Sequence, residues 1–160
     1  MGMRLKCCES TPELKMEMWM RADAAPIPMH VHPHQEERIT VVRGSLRSHT
    51  GGRERILGPG DEVVSPPREA HTIAPAGDEE VELLARLSPA LNYAAFLERS
   101  FWLDRNGYVD KRGRSNPLRL ATAKPQDAEF FLAGVPPAIQ RVLLGVMGRA
   151  AQALNYDRAT

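Results

Sequence analysis

From Glu37 to Leu87 the chain breaks into short stretches of alternating polar and apolar residues, each cut off by glycine, proline or a polar turn. The stretches are Glu37 to Arg43, Leu46 to Thr50, Arg53 to Leu57, Glu62 to Ser65, Ala70 to Ala74 and Glu80 to Leu87. Runs this short do not make helices that bury a face. Their side chains point alternately to two sides, so they predict half-buried strands. Short strands at this spacing are the pattern of a β-sandwich or barrel. Leu14 to Arg21 joins it: Leu14, Met16, Met18 and Met20 share one face. They either fill the core or, as flexible thioethers, line an adaptable apolar pocket.

The irregular segment Ala22 to Pro28 leads into His30-Val31-His32-Pro33-His34-Gln35-Glu36-Glu37. Residues two apart on an extended strand project to the same side, so His30 and His32 present their imidazoles together. Glu37 opens the next strand with a hard oxygen donor, and His71, just past Pro66-Pro67, brings a third imidazole. Three imidazoles and one carboxylate suit a divalent transition metal; iron, manganese, nickel and zinc all accept this set, and the residues do not choose among them. On an ion that prefers six ligands two positions stay open, which points to chemistry or ligand exchange rather than a structural metal. Ile39 and Val41 fall on the same face as Glu37. The pocket beneath the metal is therefore expected to be apolar, with Met18, Met20, Ile39 and Val41 lining it.

These residues resemble the cupin superfamily. Its first motif is His-x-His, four residues, Glu, six residues, Gly, and it is matched by His30, His32, Glu37 and Gly44. Its second is Gly, five residues, Pro-x-Gly, two residues, His, three residues, Asn. Gly60, Pro66 and His71 fall on it in register, while Arg68 replaces the glycine and Pro75 the asparagine. The short Gly44–Gly60 interval resembles that of small bacterial cupins, and the resemblance covers roughly residues 12 to 88.

The resemblance implies a mainly β fold, the double-stranded β-helix or jelly-roll barrel, with a metal held by His30, His32, Glu37 and His71. It also implies oxygenation, isomerisation, decarboxylation or cyclisation of a small molecule, and a homodimer. A non-catalytic binding module with an absent or structural metal is the alternative. No separate acid, base or nucleophile stands at motif spacing, so Glu37 is itself the candidate catalytic base. The motif favours Glu37 over its neighbour Glu36. His34, after Pro33, is expected at the loop surface, and His49, in a hairpin signature, in solvent. Arg47 and Arg68 read as solvated, although either would suit a substrate carboxylate or phosphate.

At Ser88-Pro89 the pattern changes. Leu91 to Trp102 has apolar residues spaced for one face of a helix, which Asn106-Gly107 ends. Tyr108 to Asn116 reads as a loop, and Leu118 to Ala123 as a short helix limited by Pro125. Pro136-Pro137 opens a longer helix, Ala138 to about Tyr156, striped with Ile139, Val142, Leu143, Val146, Met147, Ala150 and Leu154. The chain therefore divides into a barrel, residues 1–90, and a helical extension, residues 91–160, packed on the barrel or in a dimer, with Asn106 to Ser115 as a candidate gate.

Lysine plus arginine number 21 against 20 acidic residues, a net charge of +1, which leaves no electrostatic footprint for nucleic acid or an anionic membrane. The helices carry no basic recognition face. No stretch has the apolar length of a membrane span, and the start lacks a secretory signal, so a cytoplasmic protein with a small-molecule partner is expected. The adjacent Cys7 and Cys8 are expected to be free thiols, since a disulfide between neighbours is strained.

Overall fold

The computed structural model describes residues 2–9, 12–110, 117–121, 130–154 and 156. The side chains of Cys7 and Cys8 lie outside this description, so the thiol reading is not addressed. Two five-stranded antiparallel sheets are formed. The first runs in the order β1 (Met3–Glu9), β2 (Leu14–Met20), β9 (Val81–Ser88), β4 (Glu36–Arg43) and β7 (Glu62–Ser65). The second runs β10 (Phe131–Leu132), β3 (His30–Val31), β8 (His71–Pro75), β5 (Leu46–Thr50) and β6 (Arg53–Leu57). The barrel is a jelly roll, the fold class the sequence predicts.

Period-two patterning explains how the core is filled. Along β2 every second residue is buried, beginning with Leu14. The same alternation buries Glu37, Ile39 and Val41 on β4, and Val81, Leu83, Ala85 and Leu87 on β9. Because β9 pairs with both, it sets these residues in rows: Met16–Ala85–Ile39, Met18–Leu83–Val41 and Leu14–Leu87–Glu37. In the first row the small Ala85 makes room for two larger neighbours. Each fully buried aliphatic side chain contributes about 1.5–3 kcal/mol. In the third row the position belongs to a carboxylate, so the sheet carries a charged group into its apolar face.

The strands expected from Leu14 onward appear within a residue of their bounds. Two others were not anticipated: β1, which lies antiparallel to β2, and the two-residue β10; the extended stretch expected to carry both His30 and His32 is confined to β3, His30–Val31. A two-residue strand has no periodicity to detect.

The extension contains α1 (Tyr93–Arg105), α2 (Pro117–Leu120) and α3 (Pro137–Ala153). The first helix starts at Tyr93 rather than Leu91 because Leu91 has a φ of 46°, outside the helical region. Tyr93, Ala94, Phe96 and Leu97 pack on the barrel core. The short helix is described only to Leu120, with Ala121 in a turn; residues 122–123 lie outside the description. So do residues 111–116 of the loop that includes the candidate gate.

The apolar stripe of α3 turns mostly outward. Instead of packing on the barrel, Ile139, Val142, Leu143, Val146 and Leu154 are each more than half exposed. The helix is seated by its opposite, narrow side, where Gly148 and Ala151 are buried. A Cβ at Gly148 would stand 2.8 Å from the carbonyl oxygen of Ala121, so the missing side chain permits the close approach of α2 and α3. Among the described residues no helix is long and apolar enough to cross a membrane.

Gly44, in the turn from β4 to β5, has a φ of +80°, and an added Cβ would lie 2.9 Å from the backbone oxygen of Glu80. Gly44→Ala meets both the backbone penalty and the clash. It is expected to lower stability by about 1–3 kcal/mol, read as a reduced midpoint in urea unfolding. An unchanged midpoint would mean that the turn relaxes at no cost.

Candidate metal centre

The group is assembled from both sheets. Glu37 comes from β4 of the first, and His30 and His71 face each other as a registered pair on β3 and β8 of the second. His32 lies one residue beyond β3, so it does not share a regular strand with His30 as expected; their rings are nevertheless 4.9 Å apart, edge to face. His30, His32, Glu37 and His71 are 3%, 1%, 8% and 2% exposed. Each offers one ligand atom, and these atoms all lie within 4.8 Å of one another.

The short segments carrying the ligands are pinned by backbone contacts. Arg68, at the motif's glycine position, has a φ of 68°, and its N–H donates to the carbonyl oxygen of His32 at 2.8 Å. The turn that costs arginine strain thus fixes the main chain of a ligand. Between His32 and Glu37, Gln35 is fully buried and its amide donates to the carbonyls of Pro89 and Ala90 at 2.8 and 3.0 Å. This ties the loop to the start of the extension.

Ring orientation follows from hydrogen bonding. Nδ1 of His30 lies 2.9 Å from the Pro28 carbonyl oxygen, and Nδ1 of His71 lies 2.8 Å from that of Glu69. A carbonyl only accepts, so each Nδ1 carries the proton and each Nε2 is turned toward the centre. Nε2 of His30 is 3.2 Å from Nε2 of His32. Two imidazole lone pairs cannot face each other at that distance; a shared proton or a common cation must lie between them. Nε2 of His71 is 2.9 Å from Oε2 of Glu37, yet it makes no aligned hydrogen bond. A buried ring nitrogen aimed past its nearest acceptor, beside two converging nitrogens and a carboxylate, fits a metal ion.

Electrostatics favour the same set. Burial is the main reason His30 is pushed down to about 3, with the charge of His71 adding to it, so its imidazole is neutral at physiological pH. Burial alone would raise Glu37, but contact with His71 and the charges of all three histidines outweigh it and hold the carboxyl at about 2. For His71 the balance reverses: burial lowers it, and the Glu37 carboxylate more than compensates, so its imidazolium persists above the usual range.

Neither competing residue joins the group. His34 is exposed, and Glu36 is ion-paired with Arg38 at 3.1 Å. His49 is half-buried on β5, not fully solvated. Arg47 pairs with Glu54 at 2.8 Å at the surface, and Arg68 is exposed. Met18, Met20, Ile39 and Val41 all lie in the core cluster, with Ile39 and Val41 on the inward face of β4 that Glu37 shares. Sequence reasoning missed the aromatic residues around the ligands. Phe130 stacks on His30 with centroids 4.1 Å apart, and Tyr93 meets His32 edge-on at 5.2 Å. Burial, and then the charge of Glu37, raise Tyr93 well above its ordinary value, so its phenol stays protonated. No motif spacing links these positions to the histidines.

Residues 17–86 match the family model described as Cupin domain. Among solved structures, KdgF from Halomonas sp. is similar at 26% identity with a TM-score of 0.51, over 55% of this chain and 79% of that one. An RmlC-like cupin from Shewanella frigidimarina is similar at 21% identity with a TM-score of 0.50, over 56% and 78%. A predicted oxalate decarboxylase from Thermotoga maritima matches at 19% identity with a TM-score of 0.51, over 54% and 80%. The last two likenesses concern the fold alone. No curated protein matches the chain.

A metal ion must displace the proton that the neighbouring Glu37 carboxylate favours on His71. Metal affinity is therefore expected to rise with pH above 6.5 and to level off once His71 is neutral; His30, already neutral, does not compete. Calorimetric metal titrations near pH 7 in two buffers of different ionisation enthalpy should reveal protons released as the ion binds. Zero release would mean that His71 is already neutral.

Proposed function

Residues 17–86 of this chain are a cupin domain with a buried three-histidine, one-glutamate group, and from that premise we propose that the protein is a metal-dependent enzyme acting on a small, largely apolar organic molecule. The observation that carries this reading is the convergence of four buried ligand atoms within 4.8 Å, with two of the imidazoles turned inward by backbone carbonyls. The ion is iron, manganese, nickel or zinc. Such an ion supplies Lewis acidity toward a substrate oxygen and, where it is iron, redox chemistry with dioxygen.

The chain's own residues supply the rest. His30, His32 and His71 are fixed as neutral nitrogen ligands when loaded. Glu37, a carboxylate at neutral pH, would be both a ligand and the candidate base. Tyr93 keeps its phenolic proton and so serves as donor rather than base. Met18, Met20, Ile39 and Val41 form the apolar wall that favours a ring or acyl body over a sugar phosphate. Oxygenation, isomerisation, decarboxylation and cyclisation are the reaction types this arrangement suits.

Elemental analysis of the untagged protein tests this. About one transition-metal ion per chain is expected in the native protein and almost none in His30→Ala/His32→Ala. Loss of turnover or oxygen consumption in His32→Ala, with ligand binding also weakened, supports the enzyme. Unchanged ligand binding by that variant favours a non-catalytic binding module. No metal in the native protein, even after reconstitution, overturns the metal reading.

The outward face of α3 supports a homodimer. With Leu132 and Val135 beside it, the stripe leaves several aliphatic side chains exposed along one helix face. That amounts to some hundreds of Å², the size of the largest patch a monomer ordinarily leaves open and a large part of the roughly 800 Å² each partner buries in a stable interface. A second copy is the occupant proposed, because a two-fold pairing covers both stripes at once. Sedimentation should find a dimer for the native chain and a monomer for Val142→Glu/Val146→Glu; a native monomer at micromolar concentration sinks the idea.

A further inference from the structure

His30 sits on the shortest of the three strands that carry a ligand. It begins the two-residue β3 and follows a proline-bearing loop; its Nδ1 is held by a loop carbonyl, that of Pro28, and its Nε2 faces Nε2 of His32 at 3.2 Å. Rotation about the terminal torsion of histidine is broad, so the plane of the ring is set by what packs against its faces as well as by the bond at Nδ1. The rings of His32 and His71 meet it at an angle, with centroids 4.9 and 4.2 Å away, whereas the ring stacked on its face comes from the extension. Phe130 lies against the His30 ring at 4.1 Å with an interplanar angle of only 19°. Phe96 of α1 is stacked on Phe130 at 5.5 Å and again at 19°, and Tyr93 backs Phe96 at 5.5 Å.

The backbone around Phe130 is built to hold it there. The two residues that follow form β10 and pair with the ligand strand itself, Phe131 with Val31 and Leu132 with His30. Ala133 N–H then donates to the carbonyl of Met29 at 2.9 Å. The outer edge of β10 is closed by a side chain that acts as a strand would: Gln140 accepts from the N–H of Leu132 at 3.0 Å and donates to its carbonyl at 2.8 Å. Phe131 is fully buried, with the Arg141 guanidinium over its ring.

We infer that Phe130 is a positioning residue of the metal centre: delivered by β10, its ring fixes the rotation of the His30 imidazole so that Nε2 stays aimed at His32, Glu37 and His71. The inference rests on the metal-binding reading above and extends it, because it makes the C-terminal extension part of the site. Groups that orient a metal ligand without touching the ion commonly change affinity 10–100-fold.

The test uses the full chain with cobalt(II) as probe, in the native protein and in Phe130→Ala, Phe130→Leu and Phe130→Tyr. Affinity is measured by competition with a chromophoric chelator, geometry by the visible bands of bound cobalt, and folding by the thermal midpoint without metal. Phe130→Ala is expected to bind cobalt about tenfold or more weakly with altered bands, Phe130→Tyr to restore both, and Phe130→Leu, which keeps bulk but no flat ring, to fail to restore them. If Phe130→Ala does not fold, the comparison of leucine with tyrosine decides. Native affinity and bands in the alanine or the leucine variant would overturn the inference alone. Failure of the native chain to bind cobalt would overturn the metal reading, and this inference with it.

Discussion

The pairing of His30 with His71 across β3 and β8, set against Glu37 from the opposite sheet, is the constraint on which the rest depends. A carboxylate and three imidazoles are taken out of water here. Desolvation of that kind costs several kcal/mol per charged group unless partners or a cation offset it. The barrel offsets it with geometry: Nδ1 of His30 and of His71 faces a carbonyl, and Glu37 lies against His71. None of this survives if the sheets move apart, because no single sheet carries the complete set. The apolar rows Met16–Ala85–Ile39 and Met18–Leu83–Val41, which hold the first sheet's inner face in place, are therefore also what holds Glu37 within reach of the histidines.

The two departures from the cupin motif are informative because the fold absorbs them differently. Arg68 occupies a left-handed conformation where the motif has glycine, at a cost of about 1–3 kcal/mol that the surrounding structure must overcome. What keeps it there is visible in its N–H, bonded to the carbonyl of His32. Relaxing the turn would release a ligand. Pro75 ends β8, where β5 pairs on one side while β3 reaches only as far as His71. A residue without an N–H is tolerated at such a strand end, which has one neighbour instead of two.

Much of the barrel was legible because its information is local. Alternation of apolar and polar residues fixes which side of β2, β4 and β9 faces inward, and the turn residues fix where each strand stops. The four ligands were legible for another reason: their spacing matches a motif in which two are near neighbours and the others follow at set intervals. What was not legible was created by pairing. β10 is two residues long and exists because it lies against β3, so no window along the chain contains its signal. His32 reaches the centre from just beyond the strand that was expected to carry it, and the turn at Arg68 supplies the restraint.

The extension shows the limit most sharply. Helical periodicity identifies the residues of α3 that share a face, but it does not say what that face meets, and here the weaker side, Gly148 and Ala151, is the one that packs. Conversely, the part of the extension nearest the ligands, Phe130 to Leu132, has no periodicity at all. Its position comes from ring stacking on His30, a two-residue ladder and the Gln140 clamp. The ligands thus come from the barrel, whereas the aromatic residues packed against them, Tyr93 and Phe130, come from outside it. The barrel's motif determines which groups converge, and the extension supplies the rings that pack on two of them. A chain with the same four ligands and a different C-terminal segment would share the ligand set without sharing the site.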